Sequence, residues 1–358
     1  MKPAFLKRIV KTTSFIVTSH LPSHNRSSDF RHDEITLLDT AMGSENAGDQ
    51  IIMSYVQKQM GELFPQQSFK HLPTHTYSSV LESAIKNERK FVCGTNMLTM
   101  NLKENNPLAL PLLRLTAYHN SVVLLAVGMR NLKQITAKAF TPYSVRVLKY
   151  LLDPTVLHSV RDEQTKRALE EAGIRNVVNT ACVTMWDLTP DFCTQIPTSK
   201  NVDVLTTVTD YARDPEQDKF MLETLIEHYR NVYFWIQAEE DLEYVSSLID
   251  INQIKTIGHH MSNLDAFLSE HKESIDYFGT RLHAGVHCLN HKVRSMIVVV
   301  DNRARAIGKD TNIPVIERDD LRQRMEQLIE EERSTSISLP FGAIERWKNQ
   351  FQVTRDQC

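Results

Sequence analysis

The stretch Ser274-Ile-Asp-Tyr-Phe-Gly-Thr-Arg-Leu-His-Ala-Gly285 contains an arginine and a histidine two positions apart, directly after a largely apolar segment. Its first five residues are rich in aromatic and β-branched types and predict a short buried strand. Leu282 and Val286, at near-helical spacing, predict that a helix follows. The sequence therefore predicts that Arg281 and His283 lie at the carboxyl end of a strand, where a helix begins.

This position favours an anion-binding role. In open α/β sheets, ligands bind at the carboxyl ends of the strands, and a helix start adds free backbone N–H groups and the positive end of a dipole. Arg281 would supply a fixed positive charge and His283 a titratable neighbour. Taken alone, the two residues have an equally good alternative explanation, in which Arg281 pairs with a surface carboxylate and His283 is an ordinary polar residue at a helix start. Other residues of the sequence therefore have to decide.

Composition limits the class of protein. A chain of 358 residues exceeds the size at which one hydrophobic core usually stops growing, so we expect two domains. The 41 basic and 44 acidic residues give a net charge of -3, which provides no electrostatic reason to expect nucleic acid or an anionic membrane as a partner. The five cysteines are scattered and form no C-x-x-C pair, which argues against a disulfide framework and against a zinc knuckle.

The amino-terminal segment predicts a cytoplasmic protein. Four basic residues within the first eleven precede only a brief apolar run at 15–17, which is far shorter than the apolar region of a signal peptide or a membrane span. The polar composition that follows predicts that residues 1–34 form a loose lead-in outside the core.

The first half of the chain repeats a strand, a loop and a helix. Apolar runs at 35–39, 90–93 and 121–127 are each followed by a loop that contains glycine. Several such units predict a parallel sheet that is covered by helices on both faces. We therefore assign residues 35–190 to an N-terminal α/β domain.

The second half restarts the same alternation. Pro190 and Pro197 interrupt the pattern and mark the junction between the domains. Residues 203–318 form the second α/β domain, with strands predicted at 204–208, 232–236, 254–257, 274–278, 295–300 and 313–316. We expect the charged helix and tail at 319–358 to pack back on the first domain.

The loop Gly43-Ser-Glu-Asn-Ala-Gly-Asp49 follows the first predicted strand and opens a helix. Its glycines allow the backbone to approach a ligand, Asn46 tolerates unusual backbone angles, and Asp49 can cap the helix. The loop is neither a Walker loop nor a dinucleotide-binding fingerprint. A purely structural turn with an aspartate cap explains the loop as well as a ligand-binding role does.

Two further arginines follow predicted strands. Arg161 comes directly after the segment 156–160, and Arg303 follows the strongly apolar segment 296–300. The alternative for Arg161 is an ion pair with Asp162 or Glu163 on a solvated helix start, which would contribute little. Three arginines at strand ends nevertheless exceed what chance placement suggests.

Adjacent histidine and cysteine residues raise the question of a metal. The pairs are His259 with His260 and His287 with Cys288. Neither belongs to a set of ligands with metal-site spacing, so we predict surface or packing roles for them and no metal.

Four motifs in this order and spacing resemble those of the polysaccharide pyruvyl transferase family. They are the Asn-x-Gly-Asp loop (Asn46, Gly48, Asp49), Val160-Arg161-Asp162, Arg281-Leu282-His283 and Asp301-Asn302-Arg303. The resemblance extends from about Ile35 to Arg318, and its most specific element is Arg-Leu-His after a strand. It implies two Rossmann-like domains that face each other across a cleft, as in the GT-B glycosyltransferases.

The resemblance also implies an activity. Family members transfer a pyruvyl group from phosphoenolpyruvate to sugar hydroxyls of a polysaccharide or its lipid-linked precursor, form a ketal and release phosphate. Arg161, Arg281 and Arg303 would bind the donor, because arginines clamp carboxylate and phosphate groups bidentately. His283 would carry out a proton transfer, although the sequence leaves open which one. No cofactor or metal is implied, and a lipid-linked acceptor would bring the protein to a membrane surface.

The chain departs from the family pattern at three places. Arg303 stands where the family often has lysine, and 290–293 replaces the usual glycine-and-proline turn. The glycine-rich second loop is reduced to Cys93-Gly94-Thr95-Asn96, which changes the region of the acceptor. Gly94 and Asn96, like Asn46, Gly48 and Asp49, are therefore assigned to a cleft loop that is either acceptor-binding or structural.

Two other functions fit the same sequence. A GT-B-like glycosyltransferase would use the cleft and its arginines to hold the diphosphate of a nucleotide-sugar donor. A non-catalytic member would bind a sugar or an anion without turnover, although the intact Arg281-Leu282-His283 argues against it. The sequence identifies neither the acceptor sugar nor the oligomeric state.

Overall fold

The computed structural model describes residues 34–74, 85, 88–104, 116–130 and 139–352. The predicted lead-in before residue 34 and the last six residues of the tail lie outside the described residues. None of the helices in the described ranges has the length and apolar composition needed to cross a membrane.

The first sheet is parallel throughout. Its strands are β1 (Glu34–Asp39), β2 (Ser68–Pro73), β3 (Arg89–Cys93) and β4 (Val122–Leu125), and they lie in the order β2-β1-β3-β4. A parallel pair, β5 (His158–Val160) and β6 (Val177–Asn179), continues beyond β4 through a bridge between Val127 and Val160. The helices of this half are α1 (Ala47–Leu63), α2 (Pro142–Leu151), α3 (Glu163–Glu171) and the short α4 (Pro190–Cys193).

The second sheet has six parallel strands in the order β12-β11-β10-β7-β8-β9. They are β7 (Asp203–Thr206), β8 (Val232–Trp235), β9 (Lys255–Ile257), β10 (Ile275–Gly279), β11 (Ser295–Val299) and β12 (Val315–Glu317). The helices are α5 (Pro215–His228), α6 (Glu239–Ser246), α7 (Met261–His271), α8 (Leu282–Asn290), α9 (Asn302–Thr311), α10 (Leu321–Glu330) and α11 (Phe341–Asn349).

The strand order of each sheet determines where a ligand can bind. If the strands β7 to β12 are renumbered 1 to 6, the second sheet has the order 3-2-1-4-5-6 when it is read from β9 to β12. This is the strand order of a Rossmann domain. The chain reverses direction across the sheet between β7 and β10, and in the first sheet between β1 and β3. Ligands of such folds bind outside the carboxyl ends of the strands at this reversal. The predicted α/β fold with two Rossmann-like domains is confirmed.

The burial of each strand agrees with its place in the sheet. All five residues of β10 and all five of β11 are buried, as expected for parallel strands with helices on both faces. The edge strand β2 was not predicted from the sequence, because its residues are mostly half-exposed and polar and give no apolar run. The last strand, β12, begins only after Pro314, which has no N–H group for the ladder.

The carboxyl-terminal helix α11 packs on the first sheet. Trp347 is 1% exposed, and its ring lies 6.1 Å from that of Phe91 in β3 and 5.8 Å from that of Trp186. Phe351, just after α11, lies 5.5 Å from Phe91. The chain therefore leaves the second domain after α10 and ends against the first.

Candidate functional site

A pocket that is partly open to solvent lies at the carboxyl ends of the strands of both sheets. We call it the interdomain pocket. Asn46 lines it from the first domain, and the loops after β7, β8, β10 and β11 line it from the second. The polar residues among its walls are Asn46, Tyr211, Gln237, Thr280, Arg281, His283, Asp301 and Arg303. Arg281 and His283 thus lie beside the reversal point of the second sheet.

Arg281 is buried and held by carboxylates of its own domain. It is the residue that precedes α8, and its Nη2 donates to the buried Asp241 and, at 3.1 Å, to Asp210. Its Nε donates to the Val208 carbonyl oxygen at 3.4 Å, and the ring of Tyr211 lies 5.1 Å from its guanidinium carbon. The sequence alternative of a surface ion pair is therefore wrong, because the pair is buried.

His283 lies in the first turn of α8 and is 6% exposed. Its Nε2 is 3.8 Å from the thiol of Cys182, which follows β6 of the first domain and accepts a hydrogen bond from Thr184 at 3.2 Å. The thiol hydrogen can therefore point to the imidazole. Residues from both domains thus meet at His283.

The pKa of His283 is lowered to about 3. Burial is the largest cause, because it disfavours the charged imidazolium, and the positive charges of Arg303 and Arg161 add to it. The imidazole is therefore neutral at physiological pH. A neutral imidazole can accept a proton from a bound hydroxyl group.

Arg303 lies in the first turn of α9 and pairs with Asp301, which caps that helix. Its Nε and Nη2 donate to Asp301 Oδ2 at 2.9 and 2.7 Å, and Nη2 also donates to the Tyr211 hydroxyl at 2.5 Å. Burial lowers the pKa of Arg303, but Tyr211 and Asp301 raise it more, so the net pKa lies above its ordinary value. Asp49 contributes to that rise from the opposite domain.

Arg161 approaches from the first domain and is 1% exposed. Its Nη2 donates to Asn96 Oδ1, and its Nε is 3.7 Å from Asp162. Among the described residues, neither its Nε nor its Nη1 has a hydrogen-bond partner. Burial lowers the pKa of Arg161, and the positive charge of Arg303 lowers it further, whereas Asp162 raises it. Burial is thus the main reason that the pKa of Arg161 lies below its ordinary value.

The Asn-x-Gly-Asp loop joins the two domains. Asn46 caps α1 by accepting from Gly48 N at 2.9 Å, and Gln237 donates to the same oxygen at 2.7 Å. A Cβ atom on Gly48 would come within 2.7 Å of Gln237 Nε2, so glycine keeps this contact. The expectation that Asp49 caps the helix is wrong. The cap is Asn46, and Asp49 lies in the first turn of α1, where it accepts from the Ser44 hydroxyl at 2.6 Å.

The other predicted loop residues have different surroundings. Gly94 has a φ of +60°, and a Cβ atom there would come within 2.6 Å of Ile52, so Gly94 holds its loop against α1. Asn96 orients Arg161. Of the five residues assigned to the cleft loop, only Asn46 lines the interdomain pocket.

Several residues of the site were missed in the sequence. Asp210, Tyr211, Gln237 and Asp241 all follow strands of the second domain, and Cys182 follows β6. Their common signal is a polar residue shortly after an apolar strand. That signal occurs after most strands of this chain, so it could not separate these residues from ordinary loop residues.

The structure also brings together a set of potential metal ligands that the sequence did not predict. His287 contacts His291, one helical turn away, rather than pairing with Cys288. Asp265 completes the group. The rings of His259 and His260 contact each other in a tilted arrangement, with centroids 4.7 Å apart, and do not belong to this group.

Residues 46–302 match the family of polysaccharide pyruvyl transferases. The chain belongs to this family. The match includes the loop at Asn46, Arg161, Arg281 and His283, and it ends one residue before Arg303. Membership of the polysaccharide pyruvyl transferase family indicates a transferase.

Solved structures show a likeness in fold. The chain is similar to a UDP-GlcNAc 2-epimerase of Methanocaldococcus jannaschii in complex with UDP-GlcNAc and UDP, with 12% identity, a TM-score of 0.51 and coverage of 90% of this chain and 99% of that one. It is also similar to S. aureus MnaA with UDP, with 13% identity, a TM-score of 0.49 and coverage of 90% and 95%. No curated protein sequence matches the chain. The first likeness supports the GT-B-like arrangement of this polysaccharide pyruvyl transferase family member.

Proposed function

We propose that this protein transfers the pyruvyl group of phosphoenolpyruvate to two hydroxyls of a sugar in a polysaccharide or its lipid-linked precursor. The observation that carries the proposal is the positive charge around His283: Arg281 and Arg303 line the interdomain pocket with it, and the charge of the buried Arg161 reaches it from the first domain. Arg161 has only Asp162 as an ion-pair partner, at 3.7 Å, and two of its nitrogens have no hydrogen-bond partner among the described residues. Buried charge that is poorly compensated is costly, so its retention is best explained by an anionic ligand. Phosphoenolpyruvate offers both a phosphate and a carboxylate.

The three arginines have different surroundings and therefore different roles. Arg161 has two nitrogens without a hydrogen-bond partner among the described residues; it does not line the pocket itself and would reach the donor from the first domain. Arg303 is paired with Asp301 on one edge and would contribute the rest of its guanidinium. Arg281 is held by Asp210 and Asp241, which compensate its charge, so it would form a rigid wall of the donor site rather than a mobile clamp.

The chemistry has two additions to the same carbon. In the first, a sugar oxygen bonds to C2 of the enol while a proton is added to C3, which becomes the methyl group. The bond between C2 and the phosphate oxygen then breaks, and phosphate leaves with the electron pair. The second sugar hydroxyl adds to C2 and closes the ketal. The two sugar hydroxyls lose two protons in total. One is compensated by the proton that C3 gains, and the other is taken up by the released phosphate.

His283 would act as the base for the attacking hydroxyl. Its imidazole is neutral at physiological pH because burial and the nearby arginines lower its pKa to about 3. Binding of a donor with two anionic groups would raise that pKa, since the arginine charges would then be compensated. The imidazole would therefore become a stronger base when the donor is bound.

The acceptor would enter beside Gln237. Its side-chain nitrogen is fixed by Asn46, whereas its side-chain oxygen is buried and has no partner among the described residues. That oxygen could accept a hydrogen bond from a sugar hydroxyl, and buried polar groups are rarely left unpaired. A lipid-linked acceptor would place the reaction at the cytoplasmic face of a membrane.

A thermal-shift titration tests the donor. Phosphoenolpyruvate should raise the melting temperature in a dose-dependent way, because a ligand that binds only the folded state stabilises it, by about 2.7 kcal/mol at 100 times its Kd. Arg161→Met should abolish the rise with little change in the melting temperature of the ligand-free protein, because it replaces a buried charge whose ion pair with Asp162 is long, at 3.7 Å, and two of whose nitrogens lack hydrogen bonds. Arg175→Met, at an exposed position outside the pocket, should behave like the wild type.

Two results would contradict the proposal. One is a rise with UDP-GlcNAc and none with phosphoenolpyruvate, which would favour glycosyl transfer. The other is an undiminished response to phosphoenolpyruvate in Arg161→Met. After a positive binding result, phosphate release from phosphoenolpyruvate in the presence of sugar acceptors separates a transferase from a non-catalytic binding protein.

A further inference from the structure

Three potential metal ligands meet on the second domain, outside the interdomain pocket. They are Asp265 in α7, His287 in α8 and His291 directly after α8, and their ligand atoms all lie within 4.8 Å of one another. The Nε2 atom of His287 is 2.7 Å from Asp265 Oδ1, and the Nε2 atom of His291 is 3.9 Å from the same oxygen. One carboxylate oxygen therefore faces both imidazoles.

The backbone brings the two histidines onto one side of the helix. Residues four apart on a helix are neighbours on its surface, which places the rings of His287 and His291 4.6 Å apart. His291 follows the last residue of α8, so the group lies at the carboxyl end of that helix. The negative end of the helix dipole favours a cation there.

A second partner fixes the orientation of His287. The Nδ1 atom of its ring lies 3.1 Å from the hydroxyl of Tyr55 in α1, and the two rings meet edge to face with centroids 5.9 Å apart. Histidines that bind a metal through one nitrogen usually hold a hydrogen-bond partner at the other. A tyrosine hydroxyl can donate or accept. With a metal on Nε2, Tyr55 can accept from Nδ1–H; without a metal, Nε2–H can donate to Asp265 while Tyr55 donates to Nδ1.

The outer side of the group is accessible to a metal and to water. The side chains of Asp265 and His291 are 41% and 29% exposed, whereas His287 is 3% exposed. Zinc ligands in a tetrahedral site lie about 3.3 Å apart, given metal-ligand bonds of about 2.0–2.1 Å. Asp265 would have to move outward from His287 by about half an ångström, which its exposure allows.

We propose that Asp265, His287 and His291 bind one divalent transition-metal ion of the zinc class, with water completing the coordination. Two imidazole nitrogens and one carboxylate oxygen suit zinc, cobalt or nickel, whereas magnesium and calcium favour sites made of oxygen alone. The ion would join α7 to α8. Since α8 also carries His283 one turn before His287, and Tyr55 belongs to the first domain, the ion would stabilise the helix that supports the interdomain pocket.

Zinc binding tests the proposal without any reaction. Protein without an affinity tag is freed of metal with a chelator and titrated with ZnCl2 by calorimetry, with MgCl2 in parallel. We expect one zinc per chain and no magnesium at that site. Cobalt should give the visible absorption of a four-coordinate ion. His291→Asn and Asp265→Asn should each remove binding, and both lie at accessible positions where a polar replacement keeps the fold.

Two further variants make the test specific. Tyr55→Phe keeps the ring but removes the hydroxyl and should weaken zinc binding by about 10- to 100-fold at unchanged stoichiometry. The double variant His259→Asn and His260→Asn is the matched control, because it removes two adjacent histidines outside the group, and it should bind zinc like the wild type.

The proposal would be overturned by any of three results. These are no zinc at a ratio of one per chain, equal binding of magnesium, or zinc binding that survives His291→Asn and Asp265→Asn. Phosphoenolpyruvate is absent from all of these measurements. Their outcome is therefore independent of the proposed pyruvyl transfer.

Discussion

The guanidinium of Arg161 lies against the α-carbon of Gly128, in the space that a Cβ atom at that position would occupy. Gly128 follows β4, and the backbone N–H of Arg161 donates to the carbonyl of Val127 at 3.2 Å. The absence of a side chain at residue 128 therefore allows Arg161 to lie flat over the backbone, with Asn96 fixing one end of its guanidinium.

Gly128→Ala should weaken binding of phosphoenolpyruvate at least tenfold, which corresponds to about 1.4 kcal/mol. The new methyl group would push the guanidinium away from its position, and Arg161 has little room because it is 1% exposed. Calorimetric titration with phosphoenolpyruvate measures the change. Gly61→Ala is the control, since a Cβ atom there meets nothing within 4 Å and alanine stabilises a helix by about 0.5–1 kcal/mol. Equal affinity in Gly128→Ala and the wild type would contradict this role.

His283 should make the protein less stable in mild acid. Its pKa is lowered to about 3 in the folded state, against an ordinary value of 6.5. Between these values the unfolded chain binds more protons than the folded one, so stability falls as the pH falls. From pH 7 to pH 5 this histidine should cost about 2 kcal/mol of unfolding free energy, given about 1.4 kcal/mol per pKa unit.

Urea denaturation at several pH values checks this effect. His283→Gln should lose about 2 kcal/mol less than the wild type between pH 7 and pH 5. His260→Gln, at an exposed position outside the pocket, should keep the wild-type dependence. If His283→Gln and the wild type had the same slope, the pKa of His283 in the folded protein would lie near its ordinary value, and burial would not keep the imidazole neutral in mild acid.

Asp241→Asn should lower the free energy of unfolding by about 3 kcal/mol, because it leaves the buried Arg281 without its main partner. Combined with Arg281→Gln, its effect should be smaller, which gives a coupling energy of at least about 1 kcal/mol in a double-mutant cycle. The exposed pair Arg305 and Glu317 is the control, and Glu317→Gln should cost less than about 1 kcal/mol. Additive effects at Asp241 and Arg281 would rule out the coupling.

Local sequence patterns were sufficient to predict the main supports of the site. Arg281 and His283 follow a strand whose five residues are all buried, so their place at the sheet edge follows from an apolar run and the helix after it. Arg161 could be placed in the same way after β5. Both predictions depend on residues within about ten positions of the motif, where hydrophobic spacing is informative.

Partners from distant parts of the chain could not be predicted in this way. Asp210 and Asp241 are 71 and 40 positions from Arg281, and only the order β10-β7-β8 brings their loops together. The same limit applies to Asp265, which reaches His287 from another helix. By contrast, the spacing of His287 and His291 was readable, since four positions separate neighbours on one face of a helix.

Trp347→Ala should lower the free energy of unfolding by about 3–5 kcal/mol, the usual cost of removing a large buried aromatic side chain. Trp347 is 1% exposed, and its ring packs against Phe91, Trp186 and Phe351, so the loss would open a cavity between α11 and the first sheet. Arg346→Ala, at the exposed neighbouring position, should change stability by less than about 0.5 kcal/mol. Circular dichroism during urea unfolding measures both variants independently of tryptophan fluorescence. Equal stability of the two variants would mean that α11 contributes little to the first domain in solution.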